Sequence, residues 1–240
     1  MEPEILYEDE ELLAINKPAG LVVHSDGKTS QLTLVDWLLS KYPKIRDVGE
    51  SGKDSQGKVI LRSGIVHRLD KDTSGVMLVA KTQKAFDVLK KQFKNREVQK
   101  IYHAFVVGIL KSDEDTIDRS IGRSAKDFRM WSAQRGARGE MREAVTDYKV
   151  ISRGKDYTFV EISPKTGRTH QIRVHFKAIN HCLVADSLYA SKAENSLGFS
   201  RLALHSYQVT FKDVKGDIHK VTAPYPEDFV HAVSLLQSLK

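Results

Sequence analysis

Apolar positions along the chain fall into two spacings, a period near two that predicts strands and one near 3.6 that predicts helices. Ile5 to Tyr7 and Leu12 to Asn16 flank an acidic turn and read as an opening hairpin, whose second strand ends at Lys17, Pro18, Ala19 and Gly20. Thr33 to Tyr42 carries Leu34, Trp37, Leu38 and Leu39 at helical spacing behind a polar start at Thr33. Asp47 to Lys58, rich in Gly, Ser and charge, has no period and reads as a mobile loop. Val76 to Ala80 is an unbroken apolar run of buried-strand length. Gln83 to Glu97 puts Phe86, Leu89 and Phe93 on one helical face, with Lys84, Lys90, Lys91 and Lys94 as a solvated face around them. In Lys100 to Gly108 the residues alternate, so that Tyr102, Ala104, Val106 and Gly108 face one way and Ile101, His103, Phe105 and Val107 the other. Ala144 to Ser152 and Tyr157 to Ser163 read as adjacent antiparallel strands. Gly167 is expected at positive φ and Thr169 as the cap of a helix burying Ile172, Phe176 and Ile179. Leu202 to Phe211 and Asp217 to Val221 add two strands, and Pro226 to Leu239 a closing amphipathic helix. No strict βαβ alternation appears, which predicts an α+β fold with a large, mainly antiparallel sheet and flanking helices.

Composition narrows the setting. At 240 residues the chain suits one large domain or two intimately packed halves. The single cysteine, Cys182, excludes an intramolecular disulfide, and no Cys/His spacing matches a zinc site. The first residues are acidic where a signal peptide is basic, and no apolar run reaches a membrane span, so a soluble cytoplasmic protein is expected. The formal charge of +7 points to an anionic partner. It is concentrated in Arg119, Arg123, Lys126, Arg129, Arg135, Arg138 and Arg142, opposed by Asp127 and Glu140 and interleaved with Phe128, Met130 and Trp131. Arginine grips phosphate and an aromatic face stacks on an unpaired base, so the stretch reads as an RNA-gripping loop, with a solvated basic hairpin as the plain alternative. There is no glycine-rich phosphate loop, HExxH or dinucleotide fingerprint.

The stretch Arg62 to Thr82 sets a polar elbow, His67 to Gly75, between two apolar runs. By residue type alone it reads equally as a charged surface turn or as a site holding Arg68 and Asp70 at the lip of a core. HRLDKDTSG closely resembles the signature of the RluA-type pseudouridine synthases, and four more stretches agree with it in order: KPAGLVVH from Lys17, KIYHAFVVG from Lys100, PKTGRTHQIRVH from Pro164 and RLALHS from Arg201. The resemblance implies a single catalytic domain over residues 1–240, its two halves sharing one sheet with an RNA cleft between them. Met1 stands almost at the opening hairpin, so the small amino-terminal S4 RNA-binding domain of many relatives is not expected.

The implied reaction isomerises uridine to pseudouridine in RNA with no cofactor and no metal. Asp70, Tyr102 and Arg173 are the implied catalytic residues: a carboxylate at C1′, a pocket ring and a cation keeping the carboxylate ionised. Arg68, His67, Thr73 and Arg168 are the implied substrate contacts, and Arg129, Trp131 and Arg135 of the basic stretch are added to them. Asp70 has three routes open, attack on the sugar, removal of a sugar proton or stabilisation of positive charge. Ribosomal RNA is expected ahead of transfer RNA by family analogy, and a monomer ahead of an oligomer. A noncatalytic RNA binder is the rival from another class; a glycosidase-like hydrolase would use a second carboxylate, for which Asp72 is the nearest. The chain departs from the family pattern at Ser63, where Pro is common, and at Ala185 and Ala190, where Gly is.

Overall fold

The alternating and helical patterns translate into fourteen strands and four α-helices in a computed structural model that describes residues 2–24, 31–50, 52–53, 59–60, 62–134, 137–190 and 195–238. In chain order they begin with β1 (Glu4–Glu8), β2 (Leu12–Lys17), α1 (Leu34–Lys41), β3 (Gly52–Lys53), β4 (Val59–Ile60), β5 (Ser74–Ala80) and α2 (Gln83–Lys94). Next come β6 (Gln99–Val107), β7 (Glu114–Asp118), β8 (Ile121–Arg123), β9 (Trp131–Ser132), β10 (Arg138–Arg142), β11 (Val145–Arg153), β12 (Tyr157–Pro164) and α3 (Gln171–Ala178). The chain closes with β13 (Leu204–Lys212), β14 (Ile218–Thr222) and α4 (Glu227–Ser238). It forms two compact units, Met1–Gln99 with Ser206–Pro224, and Lys100–His205 with Tyr225–Lys240.

In the first unit the strand order is β1-β2-β5-β13-β14. β5 is buried at every position because it has neighbours on both sides, which is why its sequence runs apolar without alternation. Its Val76, Leu78 and Ala80 pack with Leu12 and Ala14 of β2 against Phe86 and Leu89 of α2. α1 starts at a capping box in which the Thr33 and Asp36 side chains each bond the other's backbone N–H. α2 is capped by Thr82 and turns its lysines outward, as the pattern predicts. The expected loop from Asp47 to Lys58 differs in part, since β3 pairs with β4 across it; residues 51 and 54–58 lie outside the described residues.

In the second unit β6, β12, β11 and β7 form an antiparallel array. The predicted alternation of β6 holds: Ala104 and Val106 join one core with Ile172 and Phe176 of α3, while Phe105 joins another with Phe159 and Phe229. The helix α3 departs from expectation at its start. Gly167 has no positive φ and Thr169 is not the cap; His170 takes the left-handed conformation, φ 55°, immediately before Gln171. The reason is Gln171, whose Oε1 accepts from the Arg168 N–H at 2.9 Å and the Thr166 hydroxyl at 2.6 Å, closing the turn with a side chain. The architecture is α+β, with antiparallel strand arrays and helices packed on them.

Candidate active site

Asp70 sits on a turn that the first unit holds by its main chain. The Thr73 N–H donates to the Asp70 carbonyl at 3.2 Å, and the Gly20 N–H to the Lys71 carbonyl at 2.9 Å. Lys17, 0% exposed, sends its ammonium to the carbonyls of Pro18, Leu21 and Lys71 at 2.9, 2.9 and 3.0 Å. A lysine is almost never fully buried without such partners. The KPAG turn and the HRLD turn are therefore joined through a desolvated cation. On the far side of the turn Gly75 lies at φ 108°, and a Cβ there would stand 2.1 Å from the Ser206 carbonyl oxygen. Only glycine fits that approach. The Asp70 side chain is thus carried, half-buried, on a backbone with little freedom to shift.

The other residues of the motif divide. Arg68 is exposed. His67 instead accepts the Leu78 N–H of β5 on Nε2 at 2.9 Å and stacks on Phe93 with ring centroids 4.6 Å apart. Thr73 is 2% exposed. Of these two expected substrate contacts, His67 also serves the frame by taking a strand N–H, and Thr73 is buried. His24, at the end of the KPAGLVVH stretch, is held neutral: burial first, then the Arg68 and Arg62 charges, pull its pKa down to about 4.

Arg173 is placed by side chains of its own unit. Its Nε and Nη2 donate to the two carboxylate oxygens of Asp186 at 2.8 Å each, and the pair is 7% and 1% exposed. Bidentate pairing of this kind fixes the guanidinium plane. Asp186 Oδ1 also accepts the backbone N–H groups of Leu188 and Tyr189 at 3.0 and 3.1 Å. The Tyr189 ring then lies 5.0 Å from the Arg173 guanidinium, and its hydroxyl accepts the Trp131 N–H at 2.9 Å. Two residues on either side of Arg173 complete the frame. Gln171 Nε2 donates to the Val145 carbonyl and Thr146 Oγ1, while fully buried His175 bonds Thr146 Oγ1 and the Arg119 carbonyl. Burial lowers the His175 pKa, the effect that opposes charging a ring in such a setting. Arg168 Nε donates to the Glu143 carbonyl at 3.0 Å.

Tyr102 is half-buried on β6, opposite Ile162 of β12, and rests against the core that includes Ala104 and Val106. The basic stretch forms a three-stranded sheet of order β10-β8-β9. Trp131 belongs to its base: the ring is half-buried with the Arg123 guanidinium 4.2 Å above it. The aromatic that stands out is Phe128, 83% exposed at the tip. Arg129 is chelated by Asp127, Nη2 to Oδ2 at 2.7 Å, and that ion pair pulls the Asp127 carboxyl down to about 2. Arg135 lies outside the described residues. Among the described residues no cluster of three or more potential metal ligands occurs, and no helix is long and apolar enough to cross a membrane.

Lys17 and Gln171 lie within the motifs without an expected task, and Asp186 lies outside them. An available signal for Lys17 was its place between an apolar strand and a Pro-Ala-Gly turn, where a lysine must bury its stem. Nothing local marked Asp186 as the partner of a residue 13 positions earlier.

The family model described as RNA pseudouridylate synthase matches residues 11–178. An uncharacterized RNA pseudouridine synthase of Synechocystis is 39% identical over 227 residues, covering 94% of this chain and 66% of that protein. The ribosomal large subunit pseudouridine synthase D of Neisseria meningitidis serogroup B is 39% identical over 246 residues, covering 98% and 61%. The chain thus spans about two thirds of the length of these curated relatives. The solved structure of human RNA pseudouridylate synthase domain containing 1 superposes with a TM-score of 0.75 at 25% identity, covering 94% of this chain and 84% of that one. The match over most of the chain, together with the pseudouridylate synthase fold, means that this protein belongs to the RNA pseudouridylate synthase family, as the RluA-type motifs imply.

Proposed function

We propose that the chain isomerises uridine to pseudouridine in structured RNA, with large-subunit ribosomal RNA as the expected substrate and transfer RNA as the alternative, in the cytoplasm. The observation that carries this reading is the Asp70 turn, a half-buried carboxylate on a backbone tied down by buried Lys17. Family membership supplies the reaction class, and the Neisseria relative's name supplies the ribosomal substrate.

In this reaction the N1 to C1′ bond breaks, the retained uracil turns, and C5 bonds to C1′. The C5 hydrogen leaves as a proton and N1 takes one up, so no electrons are gained or lost. Asp70 is the carboxylate that assists at C1′. Tyr102 walls the extruded uracil, and Arg173 supplies the positive charge that favours an ionised carboxylate. Its support as a fixed cation is the Asp186 chelate. Exposed Arg68 enters the stack that the target nucleotide leaves. Extrusion costs a few kcal/mol and least in loops and bulges, which favours a structured single-stranded target.

Tritium release from unmodified ribosomal and transfer RNA labelled at uridine C5 tests the reading. Wild type releases tritium from one of the two RNAs, and Asp70→Asn falls by at least about 10³-fold, the scale of losing an essential catalytic group. Its RNA affinity stays nearly unchanged. Free uracil in place of pseudouridine would make the protein a hydrolase, and binding with no release from either RNA would favour a noncatalytic binder.

A further inference from the structure

Lys100, the second residue of the strand that carries Tyr102, has no task in the reaction described so far. A period of two places it on the Tyr102 face of β6. Its ammonium reaches over the turn after β12, where it lies 3.5 Å from the Thr166 carbonyl and 4.0 Å from where a Gly167 Cβ would stand. An ammonium carries three donors, and one contact at the limit of hydrogen-bond length leaves it poorly satisfied.

The neighbouring cations are better served. Lys165 pairs with Asp147 at 2.9 Å, and Arg168 donates to the Glu143 carbonyl at 3.0 Å. Among the described residues Lys100 has no carboxylate within ion-pair distance. Burial alone pulls its pKa down to about 8, the direction expected for an ammonium taken from water without an anion to receive it. A desolvated cation unmatched by the protein disfavours the free fold and is matched when a ligand brings the anion. The absent side chain of Gly167 leaves the space over the ammonium open on that side.

We infer that Lys100 is an anion subsite beside Tyr102, taking a backbone phosphate of the RNA at or next to the nucleotide to be isomerised. This rests on the reading of the chain as an RNA pseudouridine synthase. The contact joins the ammonium to a nonbridging phosphate oxygen and involves no covalent step, so Lys100 is a binding residue.

Binding is measured with the 240-residue chain carrying Asp70→Asn, so that no turnover intervenes, and with unmodified transcripts of ribosomal and transfer RNA as probes. Adding Lys100→Met weakens affinity for the bound RNA about tenfold, the worth of one charge-assisted contact. It lowers the slope of log affinity against log salt by roughly 0.7. Adding Lys100→Arg holds affinity within about twofold, because a guanidinium donates to phosphate as readily. The melting temperature of the Met variant equals or exceeds that of the parent, since no ion pair within the protein is lost; a lysine kept for packing or pairing gives a fall instead. Lys100→Gln repeats the test with a polar side chain of similar length.

Unchanged affinity and slope in the Met and Gln variants overturn the subsite, and so does equal weakening by Met and Arg. The isomerase reading fails separately: Lys100-dependent binding without tritium release from wild type would sink it and leave the subsite, whereas release with Lys100-independent binding does the reverse.

Discussion

The turn that carries Asp70 and the helix that carries Arg173 solve one problem, holding a charge in place, by opposite means. Around Asp70 the partners are main-chain groups: the carbonyls of Pro18, Leu21 and Lys71 on Lys17, and the Thr73 N–H on the Asp70 carbonyl. Around Arg173 they are side chains, with Asp186 on the guanidinium, Gln171 on the preceding turn and His175 on Thr146. A backbone-held turn is fixed through carbonyls that no substitution removes and by the absence of atoms, as at Gly75. A side-chain-held cation depends on partner side chains, each of which can be changed alone. The two sites therefore break in different ways.

The largest effect is expected where a single change removes one side of a buried ion pair. Asp186→Ala leaves Arg173 without its bidentate partner and the Leu188 and Tyr189 N–H groups without their acceptor. Breaking a buried pair from one side costs about 3–5 kcal/mol. Thermal unfolding of the double variant Asp186→Ala/Arg173→Met separates the two explanations. If loss of the ion pair is the cause, the double variant recovers a large part of the loss; no recovery would mean that the N–H acceptor role dominates. In either fold-competent variant tritium release drops, because the cation is displaced or gone.

That dependence also explains how much of the site was legible in the sequence. Elements with a clear period were legible, β5 by its unbroken apolar run and β6 by its alternation, because burial on two faces or one writes itself into neighbouring residues. Asp70 was singled out by the HRLDKDTSG resemblance, since by residue type alone its turn, just before β5, reads equally as a charged surface turn. Lys17 was quoted in its motif, but full burial was not foreseen, since composition scales place lysine outside and only three convergent carbonyls overrule them. His67 and Thr73 lie in the motif, and their frame contacts were not foreseen, as a sequence match does not show which residues also hold β5 or the core. The departures from the family pattern do carry physical meaning. Ser63 sits at φ 43°, a conformation closed to the proline usual there, and Ala185 sits at φ 55° where glycine is usual.

The backbone-held turn should break through an added atom. Gly75→Ala places a Cβ 2.1 Å from the Ser206 carbonyl oxygen and adds the strain of φ 108° in a residue with a side chain. The strain alone is worth about 1–3 kcal/mol, and relief of the clash requires β5 to part from Ser206. We expect a destabilisation of about 3 kcal/mol by chemical denaturation, with turnover reduced more than RNA affinity as the Asp70 turn shifts. A stability within 0.5 kcal/mol of wild type, an allowance of about the size seen for neutral surface changes, would show that the approach of the two strands is loose.

The smallest effect has the opposite sign and tests the same backbone rule in the other unit. Ala185 occupies the left-handed region directly before Asp186, so the residue that orients Arg173 hangs from a strained peptide. For a residue with a Cβ that conformation costs about 1–2 kcal/mol. Against this, glycine gives the unfolded chain more freedom and removes a half-buried methyl that packs near Phe105 and Phe229, together up to about 1 kcal/mol. The balance favours Ala185→Gly by a few tenths to about 1 kcal/mol, which raises the melting temperature by up to a few degrees in a chain of this size. The Asp186 chelate is made by side chains and by the Leu188 and Tyr189 N–H groups, none of which the substitution removes, so tritium release should hold. A lowered melting temperature with unchanged release would mean that methyl packing outweighs strain at this position. Lowered release at an unchanged melting temperature would mean that the strain itself helps to aim Asp186, and that the second unit, too, relies on its backbone to place its charge.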